Sequence, residues 1–479
     1  MIKTDRYFIQ LVMIAFMLFA VNSVFAQTDG KIKANWQNLD LKTDSVFGIS
    51  MEKAYTQLLS GKKATPVIVA VIDGGVDINH EDLKSVIWTN LKEIPGNGID
   101  DDKNGFIDDI HGWNFYSAAV GEDTQAEMLS VHNKIEKTKK DQEILNHMLQ
   151  KMGKPIPTVD DFKNYVPGSP EELKMQTAMI TGLKIYPDFV SKGRVKLKKA
   201  ADFYKMQLAY YEKKDYDPIP GGPSSIHGTH VAGIIAAVRN NNVGTNGVAD
   251  QVKLMVIRAT PGIDPFKETA DSATIYALGG TEENKNIKAI ADAIHYAADN
   301  GAKVINMSFG IPLATRPATI YEAIRYAVSK DILIVHAAGN TGENLDKMDN
   351  LIPDRKTLEG QVIAPYWIEV GASDSKNDQK LATEFSNYGK NSVDVYAPGV
   401  DITSTVLRST YDENSGTSMA APVVTGLAAV IIEYYPKLTA VQVKEVIMKS
   451  VIHEDVLKDK CVSGGVVNAY NALSYIDKY

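Results

Sequence analysis

The chain has 479 residues, 44% hydrophobic and 23% charged, with a formal net charge of −8. This composition is globular and long enough for a large core. The acidic balance argues against nucleic acid or an anionic membrane surface as a partner, since both need a basic face. A single cysteine, Cys461, excludes an intrachain disulfide and leaves a large core, a bound metal or both to supply stability.

The chain opens on Lys3 and Arg6, an apolar run from Leu11 to Val21, and Val24-Phe25-Ala26 with small residues at a cleavage position. The pattern predicts a secretory signal peptide over 1–26, Gln27 as the new N-terminus, and a secreted or periplasmic protein. The run is about half of the roughly 20 residues that span a bilayer, so no stable membrane anchor is expected. A short N-terminal segment, 27–44, follows.

Val67–Ile72 is a continuous apolar, β-branched run, and Asp73 ends it in Asp73-Gly74-Gly75. Similar runs recur at Lys253–Ile257, Lys303–Met307, Ile332–His336 and Val393–Tyr396. Continuous rather than alternating hydrophobicity predicts strands buried on both faces, hence a parallel sheet. Helical spacing at Ile287, Ile290, Ala291 and Ile294, and at Ile320, Ala323, Ile324 and Ala327, falls between strands. The fold class is therefore α/β, a doubly wound, mostly parallel sheet whose functional residues belong at the C-terminal strand ends.

Between the first two runs stands Asp100-Asp101-Asp102-Lys103-Asn104-Gly105-Phe106-Ile107-Asp108-Asp109. Asp100, Asp102, Asn104 and Asp108 fall on oxygen-ligand positions of an EF-hand, with Gly105 at the turn and the Phe106 carbonyl available. Position 12 is His111 rather than Glu, so the expectation is a short calcium loop, not a complete EF-hand. The Lys- and Glu-rich stretch 116–221 breaks the strand–helix rhythm. Its helical spacing (Leu145, Met148, Leu149, Met152) and Ser169-Pro170-Glu171-Glu172, which reads as a capping box with Pro at the first helical position, predict a helical insertion. Whether it closes over a cleft or decorates the surface stays open.

Amide hydrolysis needs an activated nucleophile, a base, a group to orient the base, and donors for the oxyanion. His227 opens His227-Gly228-Thr229-His230-Val231-Ala232-Gly233, a small-residue helix. Its partner His230 lacks the adjacent Glu of a zincin and reads as a packed histidine. Asn340 ends the strand in His336-Ala337-Ala338-Gly339-Asn340. Ser418 lies in Gly416-Thr417-Ser418-Met419-Ala420-Ala421-Pro422, at the start of a buried helix whose free N–H groups favour an anion, with Pro422 expected in the first turn.

The blocks around Asp73, His227, Asn340 and Ser418 together resemble the signature motifs of subtilisin-like serine proteases, in the chain order Asp, His, Ser. Ile305–Gly310, Phe385–Gly389 and Ala397–Gly399 extend the resemblance over roughly residues 45–115 and 222–475. It implies a catalytic domain over 45–115 and 222–479, split by the insertion, and a serine endopeptidase acting on protein or peptide. In that role Asp73 orients, His227 is the base, Ser418 the nucleophile, and Asn340 with the Ser418 N–H the oxyanion donors. Ser308, Phe309 and Gly310 on one side and Ala337, Ala338 and Gly339 on the other are implied to line the substrate cleft. A calcium site at Asp82 and Asn241 is likewise implied. The competing reading is a catalytically silent binding protein on the same scaffold; loss of a triad residue would mark it, and none is lost.

Overall fold

The structure is a computed structural model that describes residues 34–116, 124–185, 225–260, 281–312, 318–347, 351–352, 355–357 and 360–476, with positions 190, 197–198, 201–202, 204–205 and 208. The proposed signal peptide lies outside the described residues. The chain divides into two compact units, one built around Gly121–Tyr216 and the other containing Lys31–Val120, Asp217–Ile263 and Asp271–Tyr479.

The first unit carries helices Thr124–Met152, Val159–Asn164 and Pro170–Ile185. Their apolar faces meet in a small core of Leu145, Met148, Leu149, Phe162, Tyr165, Met179 and Leu183. Pro170 is the first residue of its helix, as expected, and Glu172 N–H donates to Ser169 Oγ at 3.1 Å. The reciprocal half of the predicted capping box is absent. The Glu172 carboxylate instead accepts from Gly168 N–H (2.6 Å) and the Tyr165 hydroxyl (2.8 Å), two donors that would otherwise be left unpaired near the small core.

The second unit is built on a nine-stranded sheet. From one edge to the other it runs Ile452–His453, Gly465–Val466, Val395–Pro398, Ile368–Ser373, Leu333–Ala337, Val304–Met307, Val67–Asp73, Val252–Arg258 and Gly112–Asn114. Every pairing is parallel except that of the first two strands. Along Val67–Asp73, Val69 and Val71 enter one hydrophobic cluster while Ala70 and Ile72 enter the other. A strand covered on both faces has no polar side, which is why its sequence does not alternate. Helices Ile226–Ala236 and Thr417–Tyr434 fill the first cluster, and Thr281–Asp299 and Ala318–Ser329 the second.

The five predicted strands are present, each shifted by no more than two residues at its start. Four others of this sheet went unpredicted, two of them the two-residue strands Ile452–His453 and Gly465–Val466 at one edge. Ile368–Ser373 carries Glu369 and Gly371 within it, and Gly112–Asn114 is three residues long, so neither shows an apolar run. Strand order reverses at Val67–Asp73, whose neighbours on either side both come later in the chain. Asp73 thus ends the strand at the topological switch point, where open α/β sheets leave a crevice. Among the described residues one helix, Thr417–Tyr434, is long and apolar enough to cross a membrane, and it is buried as a core helix.

Candidate active site

One cleft is lined by Asp73, His227, Thr260, Ser308, Phe309, Gly310, Ala337, Gly339, Asn340, Thr417 and Ser418. Six segments deliver these groups from distant parts of the chain. The Asp73 carboxylate accepts the Gly74 N–H at 2.7 Å and faces His227 Nδ1, which is 3.0 Å from each of its oxygens. A carboxylate only accepts, so Nδ1 bears the proton and Nε2 presents its lone pair. Nε2 is buried without a hydrogen-bond partner. This close approach depends on Gly228, where a Cβ would stand 2.1 Å from Gly75 O and 3.0 Å from Asp73 Cβ.

Ser418 is the second residue of its helix, so its N–H has no intrahelical acceptor. Its hydroxyl donates to Ser308 O at 2.9 Å rather than to His227. Pro422 is the sixth residue of the helix, not in its first turn as expected. Proline lacks the N–H that would bond four residues back, to Ser418 O. That carbonyl instead accepts the Ser308 hydroxyl at 3.0 Å. Asn306 Nδ2 donates in turn to Ser308 Oγ (3.0 Å), and Thr425 Oγ1 donates to Asn306 Oδ1 (2.8 Å).

The Asn340 amide is oriented by Thr417. Its Oδ1 accepts both the N–H and the hydroxyl of Thr417 at 2.9 Å, which turns Nδ2 toward Gly416. The Thr417 hydroxyl also accepts the Gly339 N–H at 3.0 Å. Asn387 braces the same loop, donating to Ala338 O (2.8 Å) and accepting from Thr341 N–H (3.1 Å) and Glu343 N–H (2.9 Å). The sequence pointed to no role for Thr417 or Asn387; the only signals are a polar residue beside Ser418 for the first and membership of the Phe385–Gly389 block for the second. Ala338 is fully buried beneath the cleft rather than on its wall. His230 is also fully buried, its Nε2 shared between the Ile402 and Asp412 carbonyls (3.0 and 3.1 Å), and burial lowers its pKa to about 3, so the ring is neutral.

The acidic loop brings Glu93, Asp100 and Asp102 together, with one oxygen of each within 4.8 Å of the others. Glu93 was not foreseen, because it precedes the loop. Asp108 faces elsewhere: its oxygens accept Gly96 and Gly98 N–H at 2.8 and 2.9 Å. Asn104 is likewise engaged, donating to Asp109 (2.9 Å) and accepting the Phe106 N–H (2.8 Å). Three clustered carboxylates are a donor set for a hard cation.

At the other predicted metal position, Asp82 accepts from Asn241 Nδ2 (2.7 Å) and Thr245 N–H (3.3 Å), and burial raises its pKa. Asn241 therefore turns its nitrogen, not its oxygen, to the carboxylate. Gln37 is fully buried with both amide atoms unpartnered, and its Oε1 is an orphaned acceptor such as a cation would satisfy. Its neighbours Asn35 and Asn38 reach the same loop, at Asn246 N–H (2.8 Å) and Asn246 O (3.0 Å).

A doubly wound sheet, an Asp–His pair at its switch point and a serine on a helix N-terminus, all lining one cleft, define the class: an α/β protein with aspartate, histidine and serine gathered at the strand ends. The chain belongs to the subtilase family, whose sequence profile matches residues 64–471. It is 37% identical over 268 residues to the thermophilic serine proteinase of Bacillus sp. strain AK1, covering 54% of each chain. It is 32% identical over 258 residues to subtilisin BL of Lederbergia lenta, covering 53% of this chain and 78% of that one. With thermitase of Thermoactinomyces vulgaris identity is 38% over 205 residues, 43% of this chain and 60% of the relative. The chain thus spans about half the length of the first of these relatives. A solved protease structure from Pseudoalteromonas arctica PAMC 21717 shares the fold, with a TM-score of 0.51, 20% identity, and coverage of 92% of this chain and 97% of that one.

Proposed function

We propose that the chain is a secreted serine endopeptidase acting on protein or peptide through Asp73, His227 and Ser418. The observation that carries this reading is the His227 ring, fixed by both oxygens of Asp73 with its free Nε2 in the cleft that Ser418 also lines. The Ser418 hydroxyl leaves Ser308 O, meets Nε2 and gives it the proton as Oγ bonds to the substrate carbonyl carbon. The oxyanion is received by Ser418 N–H and Asn340 Nδ2. Collapse breaks the C–N bond, His227 returns the proton to the leaving amine, and water releases the acyl group by the same steps in reverse roles. Ser308, Phe309 and Gly310 would pair with an extended substrate backbone.

Calcium, if bound, acts as a structural brace. Glu93, Asp100 and Asp102 would hold one ion, with the Phe106 carbonyl that the loop spacing predicts. Asp82 and Gln37 would hold another, with Asn241 alongside. A chain without disulfides gains folded-state stability from ions that bind only that state. The signal-like N-terminus supports export.

One observation favours a second reading, a catalytically silent binding protein: Ser418 Oγ is spent on Ser308 O. Fluorophosphonate labelling of the chain from Gln27, beside Ser418→Ala, decides between the two. Labelling that disappears in the variant supports the endopeptidase. Folded protein that does not label supports the silent binder. Repeating the assay after chelation, with a melting curve, tests calcium: an unchanged melting temperature would remove it from the fold.

A further inference from the structure

We propose that His336 is a positioning residue that clamps the substrate-pairing strand from behind. Leu333–Ala337 is apolar except for this histidine, which is 2% exposed. A buried imidazole in a strand covered on both faces is costly unless both nitrogens are satisfied. Here both are. Nδ1 meets Glu369 Oε1 at 2.8 Å, and Nε2 meets Phe309 O at 2.6 Å. A carboxylate and a carbonyl only accept, so holding both contacts together takes two protons across the His336–Glu369 pair.

Glu369 is itself fixed. Trp367 Nε1 donates to its other oxygen at 2.7 Å, and its own N–H donates to Asp394 Oδ2 at 2.8 Å. Asp394 is held by Arg355 (2.6 Å) and Lys444 (3.0 Å). The Trp367 ring lies 5.1 Å from the His336 ring, centroid to centroid. A network of six side chains, joined at Glu369 through its backbone N–H, thus ends on one peptide carbonyl.

That carbonyl belongs to the cleft strand. Ser308 O points to Ser418, whereas Phe309 O points to His336, so successive carbonyls alternate as in an extended backbone. Phe309 C=O and Gly310 N–H share one planar trans peptide unit and point in opposite directions. Pinning the carbonyl on His336 therefore aims the Gly310 N–H back to the cleft side, where Gly310 lines the wall. Its partner there would be a carbonyl of an extended substrate, remote from the bond being cut. The clamp should act on the binding of long substrates and not on the chemistry at Ser418. It rests on the endopeptidase reading above.

The test compares two substrates of the full chain: p-nitrophenyl acetate, which reaches only the serine, and a tetrapeptidyl p-nitroanilide, which extends along Ser308–Gly310. In His336→Ala, kcat/KM for the tetrapeptide should fall ~10-fold further than for the ester, chiefly through KM. His336→Gln, which keeps one donor for Phe309 O, should recover part of that difference. Glu369→Gln carries the same comparison if His336→Ala does not fold. Equal losses on both substrates, or no loss on either, would overturn the clamp while leaving the endopeptidase intact. An unsubstituted chain that hydrolyses neither substrate would sink the endopeptidase reading and the clamp with it.

Discussion

Replacing Thr417 by valine tests whether the oxyanion donor is organised in advance of the substrate. The side chain is fully buried, and valine keeps its shape. Two bonds are lost, to Asn340 Oδ1 (2.9 Å) and from Gly339 N–H (3.0 Å), while the Thr417 N–H bond to Asn340 (2.9 Å) survives. Asn340 therefore loosens without leaving. Deleting such a donor outright costs about 100- to 1,000-fold in kcat. Losing one of two orienting bonds, each worth about 1 kcal/mol, should cost about 5- to 10-fold. The interaction matures only in the transition state, so kcat falls with KM nearly unchanged. Separately, the Gly339 N–H is stranded, which costs about 1–3 kcal/mol and should lower the melting temperature by a few degrees. Steady-state kinetics and thermal melts of Thr417→Val and Asn340→Ala supply the comparison. A Thr417→Val enzyme that melts early yet keeps its kcat within twofold would refute the preorganisation argument, because Asn340 would then need no help from Thr417.

Two further perturbations follow from the geometry. Gly228→Ala would place a methyl 2.1 Å from Gly75 O, forcing His227 away from Asp73; kcat should fall by at least ~100-fold with the fold retained, checked by circular dichroism beside fluorophosphonate labelling. Glu433, on the nucleophile's helix, is fully buried, and burial followed by the neighbouring Asp250 raises its pKa well above the usual carboxylate value. The folded chain keeps this proton where the unfolded chain releases it, so stability is lost as pH climbs from the unfolded value through the folded one. Glu433→Gln should accordingly gain melting temperature over the parent as pH rises from 5 to 9, and a gap that stays constant across that range would count against a retained proton.

Local patterning made much of this molecule legible. Val67–Ile72 could be read as a doubly covered strand because such a strand has no polar face, and its last residue then fell at a sheet end. His227 and Ser418 stood out because glycines and alanines crowd around them. Glu369 shows the limit: it sits inside a buried strand, tolerated because Trp367, two residues before it, and His336, from another strand, satisfy its oxygens. Glu93 and Gln37 were equally illegible. Glu93 joins the candidate metal group through folding, from outside the acidic loop, and Gln37 is buried and unpartnered outside every sequence motif. Asp108 erred the other way, since linear spacing matched a ligand position but the Gly96–Gly98 turn claimed its oxygens.

Pro422 ties these observations to the chemistry. In a helix interior proline forfeits a hydrogen bond and is costly, yet here it lies in the helix that carries Ser418. The forfeited bond is the one to Ser418 O, and the vacancy is filled by the Ser308 hydroxyl from the cleft strand. Ser308 in return accepts the Ser418 hydroxyl on its carbonyl. The helix and the cleft strand are thereby joined by two reciprocal bonds, one of them made to the carbonyl that the missing proline N–H leaves open. Through Asn306 and Thr425 the same strand is tied back to the helix one turn and more below. Ser418 and the Ser308–Gly310 segment are therefore held in register partly through one residue's missing N–H, while His336 fixes the next peptide unit of that segment from the opposite side.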